Sequence, residues 1–314
     1  MSVANPHFHG ENPAAAHGIK LRQWASIASI AVASVLIAAK FVAYMVTDSV
    51  SVMTSLMDSA FDAMASAITL FSVIHAATPA DEEHRFGHGK AEALAAMGQA
   101  LFIFGSAGYL FFEAAHRFLH PAPIKDIHIG IIVMAFSVIL TGVLLVFQRH
   151  VIQRTQSVAI SADNLHYKGD LLVNLSVMAA LGLSYYSPWP YFDPLFAAAI
   201  AAALLYGAWQ ISGESFGILM DKELPDADRG AIEKLIMTHP AVRAVHDLRT
   251  RNSGQHTFIE FHLELDGALS LSEAHAITEE VETEIYKAFP KSEVLIHPEP
   301  AGLDDHRLDH RLKG

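Results

Sequence analysis

SVMTSLMDSAFDAMASAITLFSVIHAA, residues 51–77, is an oily helix interrupted by two carboxylates one turn apart, Asp58 and Asp62. The stretch exceeds the roughly 20 residues that a helix needs to cross a hydrocarbon core about 30 Å thick. Both aspartates project from one face, which Ser51, Ser55, Ser59 and Ser66 keep small and polar. A bare carboxylate in hydrocarbon costs several kcal/mol, roughly, even on lenient scales, so this face must look inward and meet protons, a cation or water.

Working outward, five further apolar stretches lie near 24–47, 93–116, 127–147, 158–185 and 192–212. Of the 314 residues 52% are hydrophobic and 17% charged, and the mean hydropathy is +0.30, which is too apolar for an ordinary soluble protein of this length. The reading is an α-helical membrane protein with six transmembrane helices over residues 20–213. Lys20, Arg22, Arg85, Lys90, Arg149 and Arg154 precede helix 1 or fall in the 2–3 and 4–5 connections, while the 1–2 and 5–6 connections carry no Lys or Arg. The positive-inside bias therefore puts both termini in the cytoplasm. Lys40, in the outer half of helix 1, is expected to snorkel toward the outer interface.

Residues 1–19 read as a flexible cytoplasmic N-terminus, residues 214–300 as a cytoplasmic domain and residues 301–314 as a flexible tail. Within 214–300, a helix (226–239), two strands around a Gly-containing turn, an amphipathic helix (269–289) and a last strand (292–300) predict an αββαβ domain. The net charge of −12 leaves no basic surface for nucleic acid. Cysteine is absent, so any metal here uses nitrogen and oxygen ligands.

Helix 5 offers the partner for the buried acids. SADNLHYKGD (161–170) spaces His166 and Asp170 by one turn. Asp58 and His166 each lie about ten residues, or ~15 Å, from the ends at which their helices enter from opposite sides. Asp58, Asp62, His166 and Asp170 thus reach the same mid-membrane depth, and three carboxylates with one imidazole form a four-ligand set suited to tetrahedral Zn²⁺.

Other histidines are open to two readings. Asp81, His84 and His88 in DEEHRFGHGK (81–90) either close on one ion or form a solvated loop that helps set topology. His246, His262, His275 and His297 read by themselves as scattered surface histidines, although His262 sits in the alternating run FIEFHLELD (258–266).

Together, Asp58-xxx-Asp62, His166-xxx-Asp170, PADEEHRFGHGKAE (79–92) and HDLRTR (246–251) resemble the cation diffusion facilitator family, most of all its bacterial zinc and ferrous-iron efflux members. The likeness runs from helix 1 to Glu299. It implies a homodimer in the bacterial inner membrane, with a metallochaperone-like cytoplasmic domain, that exchanges a divalent cation for protons by alternating access. It implies Zn²⁺ as cargo and as structural or regulatory ion, with Fe²⁺, Cd²⁺ and Mn²⁺ as alternatives. Asp81, His84 and His88 then become a second metal site, and His246, His262, His275, His297 and Glu299 a two-ion site in the cytoplasmic domain. Glu299 stands where the family often has aspartate. Lys90 and Asp221 match an inter-subunit charge contact. The competing classes are a membrane metal sensor and a metal-dependent hydrolase; no HExxH helix or serine-histidine elbow favours the latter.

Overall fold

The computed structural model describes residues 13–47, 50–120, 128–186, 189 and 191–303. The chain divides into two compact units, Met1–Phe216 and Gly217–Gly314. The first is built from α1 (Pro13–Thr47), α2 (Val50–Ala76), α3 (Lys90–Leu119), α4 (His128–Thr155), α5 (Val158–Tyr186) and α6 (Phe192–Leu219).

Five of these helices are long and apolar enough to span a membrane. The exception is α5, whose apolar run is diluted by Asp163, Lys168 and Asp170. Of the six spans expected, five meet that measure of length and apolarity, and α5 is a helix with a polar centre. Two boundaries also move. Helix α1 begins at Pro13, so residues 13–19, expected to be flexible, are helical. Proline is favoured at a helix start and the following alanines propagate it. Helix α4 runs to Thr155, which puts Arg149 and Arg154 on the helix rather than in a connection. The break comes at Gln156, with a φ of 51°, and Ser157 then caps α5 by accepting from the Ile160 amide at 3.3 Å.

Small side chains let these helices approach closely. Ala25, Val73, Val151, Ala159 and Ile160 form one buried cluster. Large apolar residues such as Val46, Phe71 and Trp209 face outward instead, as a surface bathed in hydrocarbon allows.

Several buried polar groups in this unit are paired across helices. Arg22 donates to Glu92 at 2.7 Å, and Ser157 donates to the other Glu92 oxygen. Asp163, on α5, is wholly buried and ties three helices together. Its Oδ2 accepts from Ser29 of α1 at 2.6 Å and from Gln148 of α4 at 2.7 Å, and its Oδ1 accepts from Ser66 of α2 at 3.1 Å. The Lys40 ammonium donates to the Ser59 hydroxyl at 2.7 Å and the Ser55 carbonyl at 3.1 Å, both on the adjacent α2.

The second unit follows the expected αββαβ order: α7 (Asp226–Ile236), β1 (Ala244–Asn252), β2 (Thr257–Leu265), α8 (Leu271–Ala288) and β3 (Ser292–Pro300). The sheet order is β1-β2-β3, with β1 antiparallel and β3 parallel to β2. Alternation along β2 sends Ile259, Phe261 and Leu263 into a core with Ile232 and Ile236 of α7 and Val281 and Ile285 of α8. Residues of the opposite parity, among them His262 and Glu264, point to the other face.

Helix α8 starts with a capping box. Glu273 Oε2 accepts from the Ser270 amide at 2.8 Å and from its hydroxyl at 2.7 Å, and the Ser270 hydroxyl accepts from the Glu273 amide at 3.3 Å. The Ser270 amide, aided by the hydroxyl, holds the Glu273 carboxyl below the usual range. Its stabilisation is therefore present above the unfolded glutamate pKa and lost as pH falls through the lowered folded value. Glu273→Ala should lower the thermal midpoint of this unit by roughly a few degrees near neutral pH. Circular-dichroism melts should show that difference closing below about pH 4; a gap independent of pH would refute the cap's charge contribution.

Candidate metal centre

Three groups of acids and histidines, each with ligand atoms within 4.8 Å of one another, occur among the described residues. The first joins α2 to α5. His166 Nε2 lies 2.9 Å from Asp62 Oδ1 and 3.8 Å from Asp170 Oδ2. The His166 ring is wedged against Phe102 and Tyr167, at 5.7 and 5.6 Å between ring centroids, which limits how it can turn. Asp170 Oδ2 is buried and has no hydrogen-bond partner among the described residues, a poor resting state for a carboxylate oxygen unless something else is bound. Next to it, Gly169 lets α6 come close, since a Cβ there would lie 3.1 Å from the Leu204 side chain. Asp58 is outside this group: it sits one turn before Asp62 and is exposed. The structure thus brings together three of the four residues expected at mid-helix.

The second group lies in the α2–α3 connection. Asp81 Oδ1 accepts from the amides of His84 at 2.6 Å and Glu83 at 3.0 Å, so the carboxylate organises its own loop. Those amides, His84 first, hold the Asp81 carboxyl below its ordinary range. Asp81 Oδ2 lies 3.4 Å from His88 Nε2, and Oδ1 lies 3.5 Å from His84 Nδ1. His88 is nearly buried, and its Nδ1 lies 3.3 Å from the Thr78 carbonyl, which leaves Nε2 toward Asp81. A backbone carbonyl on the far nitrogen is the usual way a metal-binding imidazole is oriented. The loop turns through Gly87, whose φ of 78° suits glycine.

The third group is made by sheet register. His246 of β1 faces His262 of β2, which faces His297 of β3, and Glu264 of β2 faces Glu299 of β3. Ring centroids are 5.1 Å apart for His246 and His262 and 4.8 Å for His262 and His297. Two imidazoles on one tetrahedral zinc, with Zn–N near 2.0–2.1 Å, have centroids about 5 Å apart. His246 Nε2 is 3.0 Å and His262 Nδ1 3.3 Å from Glu299, yet neither contact is aligned as a hydrogen bond. Buried nitrogens and a carboxylate oxygen that converge without bonding one another fit a cation between them. A bulge after His246, with Asp247 at a φ of 51°, preserves the pairing of His246 with His262 while the strand shifts register.

Two expected members stand apart from that group. His275 is exposed on α8, 3.5 Å from Glu279, because the one-turn spacing gives it a local partner on its own helix. His297 is exposed and touches the group through its ring. Conversely, Glu264, whose Oε1 lies 3.3 Å from His246 Nδ1, was not singled out from sequence. Nor was Asp163, whose partners come from three other helices. Only the alternation of FIEFHLELD, which places Glu264 on the His262 face, carried a signal for either.

Residues 26–220 match the cation efflux transmembrane domain, and residues 224–301 match the cytoplasmic domain of cation efflux proteins. Over 279 residues the chain is 44% identical to the cation-efflux pump FieF of Salmonella schwarzengrund and 43% identical to that of Klebsiella pneumoniae, covering 89% of this chain and 93% of each relative. A solved metal-bound C-terminal domain of the CzcD transporter from Thermotoga maritima is 30% identical, covering 26% of this chain and 100% of that one, with a TM-score of 0.25. With both parts of the chain matched by the two halves of one family, and pumps of that family aligned along most of its length, this protein is a member of the cation diffusion facilitator family of cation-efflux transporters.

Proposed function

We propose that the protein exports a divalent metal cation, Zn²⁺ before Fe²⁺, Cd²⁺ or Mn²⁺, from the cytoplasm in exchange for protons. The observation that carries this reading is the meeting of Asp62, His166 and Asp170 between α2 and α5, in a chain of the cation-efflux family. The cargo site is completed by Asp58, one helical turn away on α2, when the helices adjust around the ion. One imidazole and three carboxylates suit a borderline dication, and each ligand must shed its proton to bind. Metal and protons therefore compete for the same lone pairs, and an inward proton gradient favours outward release of the metal.

Rocking of the helices around this site gives alternating access in a six-span bundle, with α5 as the sixth span and both termini cytoplasmic in a bacterial inner membrane. Burying the polar centre of α5 against α2 is what makes such a helix tolerable in lipid. The chain works as a homodimer. His246, His262 and Glu299, with His275 and His297 recruited, hold structural or regulatory ions in the cytoplasmic domain, and Asp81, His84 and His88 hold another in the α2–α3 loop.

The test is flux in proteoliposomes across an imposed pH step, with Zn²⁺, Fe²⁺, Cd²⁺ and Mn²⁺ in turn. Zn²⁺ transport accompanied by opposite proton movement is expected. Metal flux that ignores the pH step would remove the exchange, and absence of flux for all four ions would leave the sensor reading in its place.

A further inference from the structure

We propose that His75, in the last turn of α2, is a fourth ligand of the α2–α3 loop site, so that this chain holds a dication there with three imidazoles and one carboxylate. The inference rests on reading Asp81, His84 and His88 as a metal site and adds a residue that no part of that reading included.

The His75 and His88 rings lie 4.7 Å apart between centroids with planes inclined by 64°. The His84 and His88 rings also lie 4.7 Å apart, inclined by 48°. Both separations are close to the roughly 5 Å that two imidazoles take up on one tetrahedral zinc. His88 is thus the shared neighbour of two other histidines, one from the loop and one from the end of a helix 13 residues earlier in sequence.

Backbone bonds hold these neighbours in place. The Thr78 amide donates to the His75 carbonyl at 3.0 Å, and the Thr78 carbonyl lies 3.3 Å from His88 Nδ1. One residue therefore links both histidines and directs His88 Nε2 toward Asp81. His75 is exposed and stacks parallel to Phe71, with centroids 5.9 Å apart. At a helix end it can turn toward the ion without displacing a packed side chain.

Three imidazoles and one carboxylate make a complete tetrahedral set, and one that favours Zn²⁺ over hard cations such as Mg²⁺. A bound ion would then tie the last turn of α2, the helix that carries Asp58 and Asp62, to the residues that lead into α3.

The test uses the full chain with the other sites removed by Asp62→Ala, Asp170→Ala, His262→Ala and Glu299→Ala. Calorimetric titration with Zn²⁺ then reads the loop site, and His88→Ala in that background identifies it. His75→Phe, which keeps a ring to stack on Phe71, is expected to weaken Zn²⁺ binding at least about tenfold. If His88→Ala abolishes the binding and His75→Phe leaves it unchanged, the fourth ligand is refuted while the loop site stands. If the background binds no Zn²⁺ that His88→Ala removes, both fall. The unmutated chain gives an independent check: Zn²⁺ should protect His75 from diethyl pyrocarbonate at the concentration that protects His88, and labelling of His75 indifferent to Zn²⁺ overturns the proposal.

Discussion

His166→Ala is expected to reduce Zn²⁺-for-proton exchange in proteoliposomes to the leak of protein-free vesicles. His166 is the only nitrogen donor proposed for the cargo site, and its Nε2 is the atom that faces both Asp62 and Asp170. Removing it leaves only carboxylates, a donor set that suits harder ions and lacks the imidazole favoured by Zn²⁺. Asp170→Ala should have the same outcome, because its buried, unbonded Oδ2 faces the same imidazole nitrogen as Asp62. Both variants should still fold and still bind Zn²⁺ through His246, His262 and Glu299, since those residues belong to the other unit. Exchange within about twofold of the parent protein in either variant would mean that the ion passes elsewhere.

The second large effect concerns stability. Asp163→Ala should lower the thermal midpoint of the detergent-solubilised chain by roughly 5–10 °C, the equivalent of about 2–4 kcal/mol. The side-chain amide of Gln148 and the hydroxyls of Ser29 and Ser66 all converge on this carboxylate in a wholly buried place. Serine hydroxyls can swing to backbone carbonyls, but the Gln148 amide then has Ser29 as its remaining acceptor. Asp163 is one turn from His166, so loss of this anchor also loosens the placement of the imidazole against Asp62. Half-saturation of transport should move to higher Zn²⁺ concentration. Asp163→Asn, which keeps one carbonyl oxygen and the same shape, should recover part of both losses. An unchanged midpoint for the alanine variant would show that the three donors find other partners at no cost.

Much of the architecture was legible because hydrophobic runs and one-turn spacings are local properties. The αββαβ order of the second unit followed from periodicity, and β3 begins and ends where the alternating run 292–300 does. Helix ends were less legible. The charged stretch of α4 after residue 147 looked like a connection, yet Arg149 and Arg154 simply continue the helix to the break at Gln156. The stretch 158–185 reads as apolar, yet α5 falls short of the other five helices in apolarity, because Asp163, Lys168 and Asp170 lower its hydropathy.

For the candidate sites, sequence alone determined which side chains share a helical face or a strand parity. That was enough to nominate Asp62, His166 and Asp170, and to put Glu264 on the face of His262. Only the tertiary structure decided which groups meet: of those nominated, Asp58 and His275 stand apart, whereas His75 and Asp163, not nominated, respectively touch His88 and gather donors from three helices. The reason is physical. Spacing along one element follows from its own 3.6- or 2-residue period, but the partner of a side chain across a packed interface depends on how neighbouring helices and strands are rotated and registered against it.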